Sequence, residues 1–529
     1  MPMSSESRFR VSTLPVVSVV VVFLGLALAG PLCAETRRVP QDFPNIQAAI
    51  DASSAGDTIL VSPAEYREPL RLTPGLTLRA VPGGRGDEDA RPVIDLGGAP
   101  GTAPGIEMAE GCVLDGFEIT GVGAYDEETW KRHHETQGEE LGDDEGSVQA
   151  EGTVPAIRAA GVACTITNCV VHHNGDVGIA LQGKVESGDL VRVAGNRCFR
   201  NMGGGIGIAL QASPLVSGNE CYENLRAGIG CRAAAGIIED NFCHSNVRAG
   251  IGCREGATPI IRANRCVKNR RAGIGIRMPQ TRPVVIDNEC AENAMAGIGS
   301  RDEAAPIIQG NHCHHNQLAG IGSSNGTRPL IVKNRCIENG AAGIGLDGNV
   351  SAILLDNECV DNSLVAIGVT NQSQARIERC RCERTGNMPP LIAIRGGSRA
   401  SIVESEISGG GVAGVLVEGE ATIQQCRFLA RNENQGTAIW VWAGSELVAV
   451  DNETNGYRSA VKATESAVEI AENRFREFGS CAVELKACVD AVVRDNIGVS
   501  ADEAGVFLKT DRDDTQDVNN SVAVEASDR

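Results

Sequence analysis

The sequence predicts an all-β solenoid in which short parallel strands stack coil on coil. A unit reading N-x-C-x-x-N-x-x-A-G-I-G recurs with a period of 22 to 24 residues, and a fixed period of this size is typical of solenoids. Apolar positions alternate over short stretches, and no unit has the ten or so residues of helical periodicity that a helical repeat needs. Aromatic residues make up only 3% and glycines number 63, which favours thin coils packed by small side chains. The units begin at Asn196, Asn219, Asn241, Asn264, Asn288, Asn311, Asn334 and Asn357.

The first 34 residues have the pattern of an export signal. Arg8 and Arg10 precede an apolar run at 16–29, and Leu32, Cys33 and Ala34 form a cleavage-site pattern. An uncleaved anchor is the alternative, but the run is shorter than the roughly 20 residues that a membrane span needs. We therefore expect a secreted, periplasmic or cell-surface protein with no membrane span after signal cleavage.

The rest of the chain divides by composition and by the regularity of its repeats. Residues 35–120 are predicted to form an N-terminal cap and the first coils, and 121–154 an acidic insertion loop. Regular repeats follow over 155–382, looser coils over 383–510, and an acidic, disordered tail over 511–529. The net charge of −20 argues against nucleic acid as a partner. The sequence does not indicate an oligomeric state.

The N-terminal segment resembles the opening of the pectin-lyase-like superfamily. Residues 43–52 (FPNIQAAIDA) are followed by 56–61 (GDTILV) and 64–68 (AEYRE), with Ala64 where that superfamily usually has glycine. The resemblance implies a right-handed parallel β-helix whose first coil is capped by a short helix. It implies no single activity, because that fold hosts lyases, hydrolases, esterases, epimerases and proteins without catalysis.

Two columns of the repeat are interpreted as structural ladders. The asparagine that starts each unit, and a second one five residues later, are expected to form stacked amide ladders that satisfy their own buried polar groups. The cysteine two residues after the first asparagine is expected to point inward as a small buried hydrophobe. Disulfides between neighbouring coils are the alternative, since exported proteins often contain them. The cysteines of this column are Cys198, Cys221, Cys243, Cys266, Cys290, Cys313, Cys336, Cys359 and Cys382.

Two further columns carry arginine in consecutive coils and are predicted to bind the substrate. Alternation places both glycines of A-G-I-G outward, so that they form a floor of glycine with one arginine row on each side. Such a groove suits an elongated polyanion, because arginine pairs bidentately with carboxylate or sulfate. In the alternative interpretation, Glu255, Asp302, Glu303 and other acids from adjacent turns neutralise these arginines. The rows are Arg226, Arg248 and Arg271 on one side, and Arg232, Arg254, Arg277 and Arg301 on the other.

A catalytic role has only weak candidates in the sequence. Residues 277–282 (RMPQTR) resemble the R-x-P-x-x-R signature of pectate lyases, which makes Arg277 and Arg282 candidate catalytic residues. The glycine and histidine that should follow, and the calcium motif of that family, are missing. If the protein is an enzyme, we expect a polysaccharide lyase or another carbohydrate-active type. Calcium would be expected only with a lyase activity, and no cofactor otherwise.

The histidines suggest a metal site at first sight, at His312, His314 and His315. Alternation, however, sends His312 and His314 outward and Cys313 inward, so a solvated face is the preferred interpretation and no metal site is predicted. The repeat style is shared with the periplasmic copper-accessory proteins of nitrous oxide reductase, which keeps copper handling as an alternative function. The insertion, with Trp130, His133 and His134 among acids, is expected to be disordered.

The sequence therefore predicts an exported β-helix protein that binds an acidic polysaccharide along an arginine-lined groove, with cleavage of that polymer left open. A non-catalytic structural or surface protein is the second interpretation.

Overall fold

The structure is a computed structural model that describes residues 34–83, 90–136, 154–386, 389–409, 411–431, 435–500 and 506–524. The predicted signal peptide, except for its last residue, and residues 137–153 of the predicted insertion lie outside this part of the chain. Within it, no helix is both long and apolar enough to span a membrane.

The described chain winds into a parallel β-solenoid of about 20 turns, as the repeat period predicts. Each regular coil contributes three short strands, and each strand pairs in parallel with its equivalent one coil away. The strands therefore form three long sheets, which we number in the order in which a coil enters them. Two strands, Ile392–Val403 and Ala413–Gln424, continue from sheet 1 into sheet 2.

The other strands of sheet 1 carry the I-G-x-R part of the repeat or its equivalents. They are Leu70–Arg71, Ile106–Glu107, Ile157–Ala160, Ile179–Gln182, Ile206–Ala209, Ile229–Arg232, Ile251–Arg254, Ile274–Arg277, Ile298–Arg301, Ile321–Ser324, Ala342–Asp347, Val365–Thr370, Thr437–Val441, Ser459–Thr464, Cys481–Lys486 and Val506–Thr510.

Sheet 2 precedes the first asparagine of each repeat. Its other strands are Thr36–Val39, Thr58–Val61, Thr77–Ala80, Cys112–Asp115, Cys164–Thr167, Arg192–Ala194, Leu215–Ser217, Ile237–Glu239, Ile260–Arg262, Val284–Ile286, Ile307–Gln309, Leu330–Val332, Ser351–Leu355, Gln374–Glu378, Glu446–Val450, Ala467–Ala471, Val492–Arg494 and Gln516–Val518.

Sheet 3 contains the cysteine column. Its strands are Glu65–Tyr66, Val93–Asp95, Glu118–Thr120, Val170–His172, Arg197–Phe199, Glu220–Tyr222, Phe242–His244, Arg265–Val267, Glu289–Ala291, His312–His314, Arg335–Ile337, Glu358–Val360, Arg381–Glu383, Glu406–Ser408, Arg427–Leu429, Glu453–Asn455, Arg474–Phe478, Ile497–Ser500 and Ser521–Val524. Strands thus continue into the tail that the sequence analysis places beyond residue 510 and expects to be disordered.

The predicted capping helix is present as α1, Ile46–Asp51. Asn45 caps it, because its side-chain oxygen accepts a hydrogen bond from the Ala48 backbone N–H at 2.8 Å. Ile46 and Ile50 are buried, and the helix packs on the first strands of the solenoid. This arrangement closes the apolar end of the stack, which every solenoid must protect from water.

Both asparagine columns form the predicted amide ladders. In the first, the Asn241 side chain donates to Oδ1 of Asn264 at 2.9 Å, and Asn264 donates in turn to Asn288 at 3.0 Å. The second column repeats this geometry, with 3.0 Å between Nδ2 of Asn246 and Oδ1 of Asn269. These residues are buried, and the ladders satisfy their amides as the sequence predicts.

The cysteine column points inward along sheet 3, in register from coil to coil. Every cysteine in the described part of the chain is a buried free thiol. The packing interpretation is therefore confirmed, and the alternative of disulfides between coils is not what the structure shows. Isoleucines of sheet 1, such as Ile274 and Ile298, fill the opposite side of the core with no exposed surface.

Candidate functional site

The two glycines of each A-G-I-G segment have different environments in sheet 1. A Cβ added to Gly250, in the first glycine column, would lie 2.8 Å from the Gly273 carbonyl oxygen, so close packing between coils requires glycine there. A Cβ on Gly230, in the second column, would meet nothing within 4 Å, and one on Gly275 would only touch Ala249 at 3.5 Å. The prediction that the first column also lies on the outer face is wrong, because its glycines are buried between coils. Packing does not explain the second column.

This second column forms a bare strip on the outer face of sheet 1. Gly230 pairs with Gly252, and Gly275 with Gly299, and each is partly exposed. Glycine inside a strand weakens it and commonly marks a place where another molecule approaches the backbone. The strip is thus a feature of the surface and not of the core.

One arginine row borders the strip as predicted. Arg232 pairs in register with Arg254, and Arg277 with Arg301, at the ends of four successive strands of sheet 1. The row stops on both sides, because Ala209 precedes it in the register and Ser324 ends the next strand. We call the strip and the two arginine rows beside it the arginine groove.

The other arginine row, Arg226, Arg248 and Arg271, also lies in register from coil to coil, but Arg248 is more buried than predicted. The Arg248 backbone N–H donates to the Arg226 carbonyl at 3.4 Å, and that of Arg271 donates to Arg248 at 3.3 Å. Arg226 and Arg271 are partly exposed, whereas only 6% of Arg248 is exposed. Arg248 therefore cannot form an open wall of the groove as the sequence analysis assumed.

A helix in the insertion packs beside this row. Residues Glu127–Glu135 form α2, in a segment whose acidity predicts disorder. Its Trp130 is buried against Leu225 and Val247, which directly precede Arg226 and Arg248 in sequence. The helix thereby brings the insertion to the edge of the groove.

The sequence contains local signals for the helix α2, but the acidity of the segment favours a prediction of disorder. Asp126 accepts a hydrogen bond from the Thr129 backbone N–H at 2.7 Å as an N-cap. Acidic residues occupy the first turn and basic residues the last, as the helix dipole favours. The Arg200 guanidinium lies 4.7 Å from the Trp130 ring centroid and holds the helix to a neighbouring coil.

Acids of the following turns pair with part of the groove. Oε2 of Glu255 lies 2.5 Å from Nε of Arg232, and its Oε1 lies 3.5 Å from Nε of Arg254. Asp302 lies 3.4 Å from Nε of Arg301. The neutralising interpretation is therefore confirmed for Glu255 and Asp302. Such partly exposed pairs contribute only about 0–1 kcal/mol each, so an anionic ligand can compete with them.

The two catalytic candidates border different sheets. Arg277 ends a strand of sheet 1, at the arginine groove. Arg282 lies two residues before the sheet 2 strand Val284–Ile286 and is exposed. Met278 and Gln280 between them take left-handed backbone angles of +75° and +66°. The R-x-P-x-x-R segment is therefore a wide turn, and only Arg277 remains a candidate within the groove.

Opposite charges lie beside each other on the outer face of sheet 3 and neutralise each other. Nε of Arg197 lies 3.0 Å from Glu220, and Nε of Arg335 lies 2.9 Å from Glu358. A neighbouring column contains a ring stack that the sequence analysis missed, with centroids 4.8 to 4.9 Å apart. The stacked residues are His172, Phe199, Tyr222 and His244.

Over the described residues, no group of three or more His, Cys, Asp or Glu side chains is arranged to hold a metal ion.

Comparison with known sequences identifies the repeat region. A family model described as "Right handed beta helix region" matches residues 154–281, 275–388 and 390–527. No curated protein matches the chain.

Solved structures with related architecture have low sequence identity to this chain. The periplasmic alginate epimerase AlgG is 13% identical over 69% of this chain and 78% of its own, with a TM-score of 0.32. The PL6 family alginate lyase AlyGC is 10% identical over 89% and 90%, with a TM-score of 0.35. The pre-mature gene product 12 of bacteriophage phi29 is 12% identical over 89% and 68%, with a TM-score of 0.38.

Proposed function

Because this chain belongs to the right-handed β-helix family, we propose that it is an exported protein that binds an acidic polysaccharide along the arginine groove. The observation that carries the proposal is the pairing of an arginine row, in register over four coils, with a glycine strip that packing does not require. Cleavage of the bound polymer is a further step that Arg277 could support.

The charge pattern supports a polymer that lies along the rod. Neighbouring parallel strands are about 4.8 Å apart, so the backbone positions of Arg232, Arg254, Arg277 and Arg301 repeat at about that distance. Like charges at this spacing repel each other by roughly 1 kcal/mol per pair in water. Glu255 and Asp302 relieve part of this repulsion. A linear polymer with one carboxylate or sulfate per sugar would relieve more of it.

The bare glycine strip also supports a polymer that lies along the rod. With no side chain at Gly230, Gly252 and Gly275, a flat chain of sugar rings can approach the backbone of sheet 1 closely. The arginine row then lies beside the polymer, where a guanidinium fork can pair with a carboxylate. A compact small anion would use one or two of these arginines and leave the repeated pattern unexplained.

Binding to uronate and sulfated glycan arrays tests the proposal. The Arg254→Ala/Arg277→Ala variant should bind at least tenfold more weakly, because each lost charge-assisted bond contributes about 1.5–3 kcal/mol, and wild-type binding should weaken steeply with salt. The matched control is Arg262→Ala/Arg265→Ala, which removes the same charge from the outer faces of sheets 2 and 3.

A second variant tests the strip independently of charge. Gly230→Val adds a side chain where an added Cβ meets nothing within 4 Å. The side chain would cover the strip, so the stability should change little while glycan binding falls. If no anionic glycan binds the wild-type protein, or if the control loses as much affinity as the groove variant, the proposal is wrong. The non-catalytic structural interpretation would then be favoured.

Cleavage is measured separately on any glycan that binds. A lyase would give an unsaturated uronate product with new ultraviolet absorbance, and Arg277→Lys should abolish that product if Arg277 takes the proton. Binding without products, in the presence or absence of added calcium, would identify a binding protein.

A further inference from the structure

Two tryptophans lie side by side on the outer face of sheet 1. Trp440 is in the strand Thr437–Val441, and Trp442 directly follows that strand. Alternation points both outward, because Val441 between them has no exposed surface. The ring centroids are 5.8 Å apart, with an angle of 71° between the ring planes. Trp442 is 37% exposed and Trp440 is partly exposed, so the two rings form an open surface that we call the tryptophan corner.

The register of the coils does not explain this pair. Trp440 continues the column of the glycine strip and is in register with Gly368, Ala393 and Leu416 of the preceding coils, none of which is aromatic. The chain contains only three tryptophans. The third, Trp130, is 3% exposed and anchors α2. Burial therefore explains Trp130, but it does not explain two neighbouring tryptophans that remain in contact with solvent.

The charged groups around the tryptophan corner neutralise each other. The Arg395 guanidinium lies over the Trp442 ring, 5.7 Å from its centroid, which favours one orientation of the ring. Nε of Arg395 also donates to Oε2 of Glu418 at 2.8 Å. Lys462, the neighbour of Trp440 in the next coil, has its Nζ 3.5 Å from Oε2 of Glu484. These charges therefore provide hydrogen-bonding groups without an excess charge that would select an ionic ligand.

The indole N–H groups of the tryptophan corner are available to a ligand. In the part of the chain that the structure describes, neither Trp440 nor Trp442 donates its Nε1–H to a protein acceptor, whereas Trp130 donates to the Glu223 carbonyl at 3.2 Å. A pyranose ring has an apolar C–H face and a rim of hydroxyl groups. A flat indole with a donor at its edge, beside a guanidinium and a carboxylate, complements both parts of such a ring.

We propose that the tryptophan corner binds a neutral sugar ring of a polysaccharide, by stacking on an indole and by hydrogen bonds to Arg395 and Glu418. A few polar groups on an aromatic surface are typical of ligand sites. A uronate fits less well, because its carboxylate would lie near Glu418 while Arg395 is already paired. The inference takes its ligand class from the proposed function but does not depend on the arginine groove. The arginine row ends at Arg301, six coils and about 29 Å away.

Titration of the full chain with dextran, xyloglucan and galactomannan tests the proposal. Because Trp130 is buried, acrylamide quenching of the intrinsic fluorescence reports mainly on the tryptophan corner, and a bound polysaccharide should protect it. In affinity electrophoresis, Trp442→Ala should bind at least about tenfold more weakly, as the loss of a tryptophan anchor often does. Trp442→Phe keeps an aromatic face and should retain most of the affinity. Leu429→Ala is the matched control, because Leu429 is a 44% exposed apolar residue on sheet 3.

The arginine variant separates this inference from the proposed function. Arg254→Ala/Arg277→Ala should bind the neutral polysaccharides like the wild type, and salt should not weaken that binding, because no ion pair forms. The inference is overturned if none of the three polysaccharides protects the tryptophans, or if Trp440→Ala and Trp442→Ala both retain wild-type affinity with the fold confirmed by circular dichroism. Equal loss in Leu429→Ala or in the arginine variant would also overturn it. Neutral binding through Trp442 without any acidic binding would refute only the arginine groove.

Discussion

Replacing Asn264 by alanine tests whether the amide ladder stabilises the stack. Asn264 is 1% exposed. Its Nδ2 donates to the carbonyls of Ile238 and Arg262 and to Oδ1 of Asn288, at 2.9 to 3.0 Å. Its Oδ1 accepts from the backbone N–H and from Nδ2 of Asn241, at 3.0 and 2.9 Å. Alanine removes all of these bonds and leaves the backbone unchanged.

The size of the effect follows from which partners are left unsatisfied. Nδ2 of Asn241 keeps its bond to the Val216 carbonyl at 3.0 Å, and Oδ1 of Asn288 still accepts the Asn264 backbone N–H at 2.9 Å. The backbone N–H of Asn241 loses its acceptor inside the protein, which costs about 1–3 kcal/mol. The other lost bonds contribute about 0.5–1.5 kcal/mol each. Summed over four such bonds and the one unsatisfied N–H, the expected loss in the free energy of unfolding is about 3–9 kcal/mol.

Urea denaturation measures the loss, and hydrogen exchange locates it. Coils of a solenoid contact only their neighbours, so the amides of the coils next to Asn264 should exchange faster while distant coils change little. Gln309→Ala is the matched control, because Gln309 is an exposed amide at the end of a sheet 2 strand, and it should change stability by less than about 0.5 kcal/mol. If both variants unfold within about 1 kcal/mol of the wild type, the ladder does not stabilise the fold as argued.

Three further predictions concern the core and the insertion. Ile298→Asp should destabilise by several kcal/mol in urea, since it buries a charge, whereas Ile307→Asp at a 39% exposed position should not. Thiol titration should find Cys169 and Cys382 unreactive until the protein is denatured without reductant. Burial raises the pKa of both thiols, to about 12 for Cys169. Above about pH 9 the unfolded chain therefore loses these protons before the folded chain does, and the free energy of unfolding should fall as the pH rises. Trp130→Ala should expose α2 to limited proteolysis without shifting the main unfolding transition, and a large shift would contradict its peripheral packing.

The sequence was sufficient to predict most of the features that repeat, although the ring stack on sheet 3 was missed. The inward cysteines, the amide ladders and the outward arginine row all follow from one property, that a column of the repeat becomes a line on the rod. The helix α1 was also predicted, from a resemblance. Each of these features depends only on the position of a residue within its own segment of the repeat or cap, and not on contacts with segments distant in sequence.

The other features that were missed depend on single departures from the repeat. Alternation places His314 outward, but it cannot show that the left-handed backbone of His315 turns a second ring to the same side. Composition favoured disorder in the insertion, whereas the burial of Trp130 orders α2. Turn geometry and contacts between segments distant in sequence decided each case.

The contrast between inner and outer columns is the strongest argument that the arginine groove has a function. The inward cysteines and both asparagine columns continue unchanged through at least eight coils, because each coil must match its neighbours in the core. An outward position has no such constraint, and the same core would accept alanine or serine there. Ala209 and Ser324 occupy the arginine position in the coils on either side of the row. Stacking therefore cannot explain why arginine fills only the four coils between them. The glycine strip continues past the row at Gly322 and Gly345, so only the arginines are confined to these four coils. The proposed ligand, of limited length along the rod, would account for that confinement.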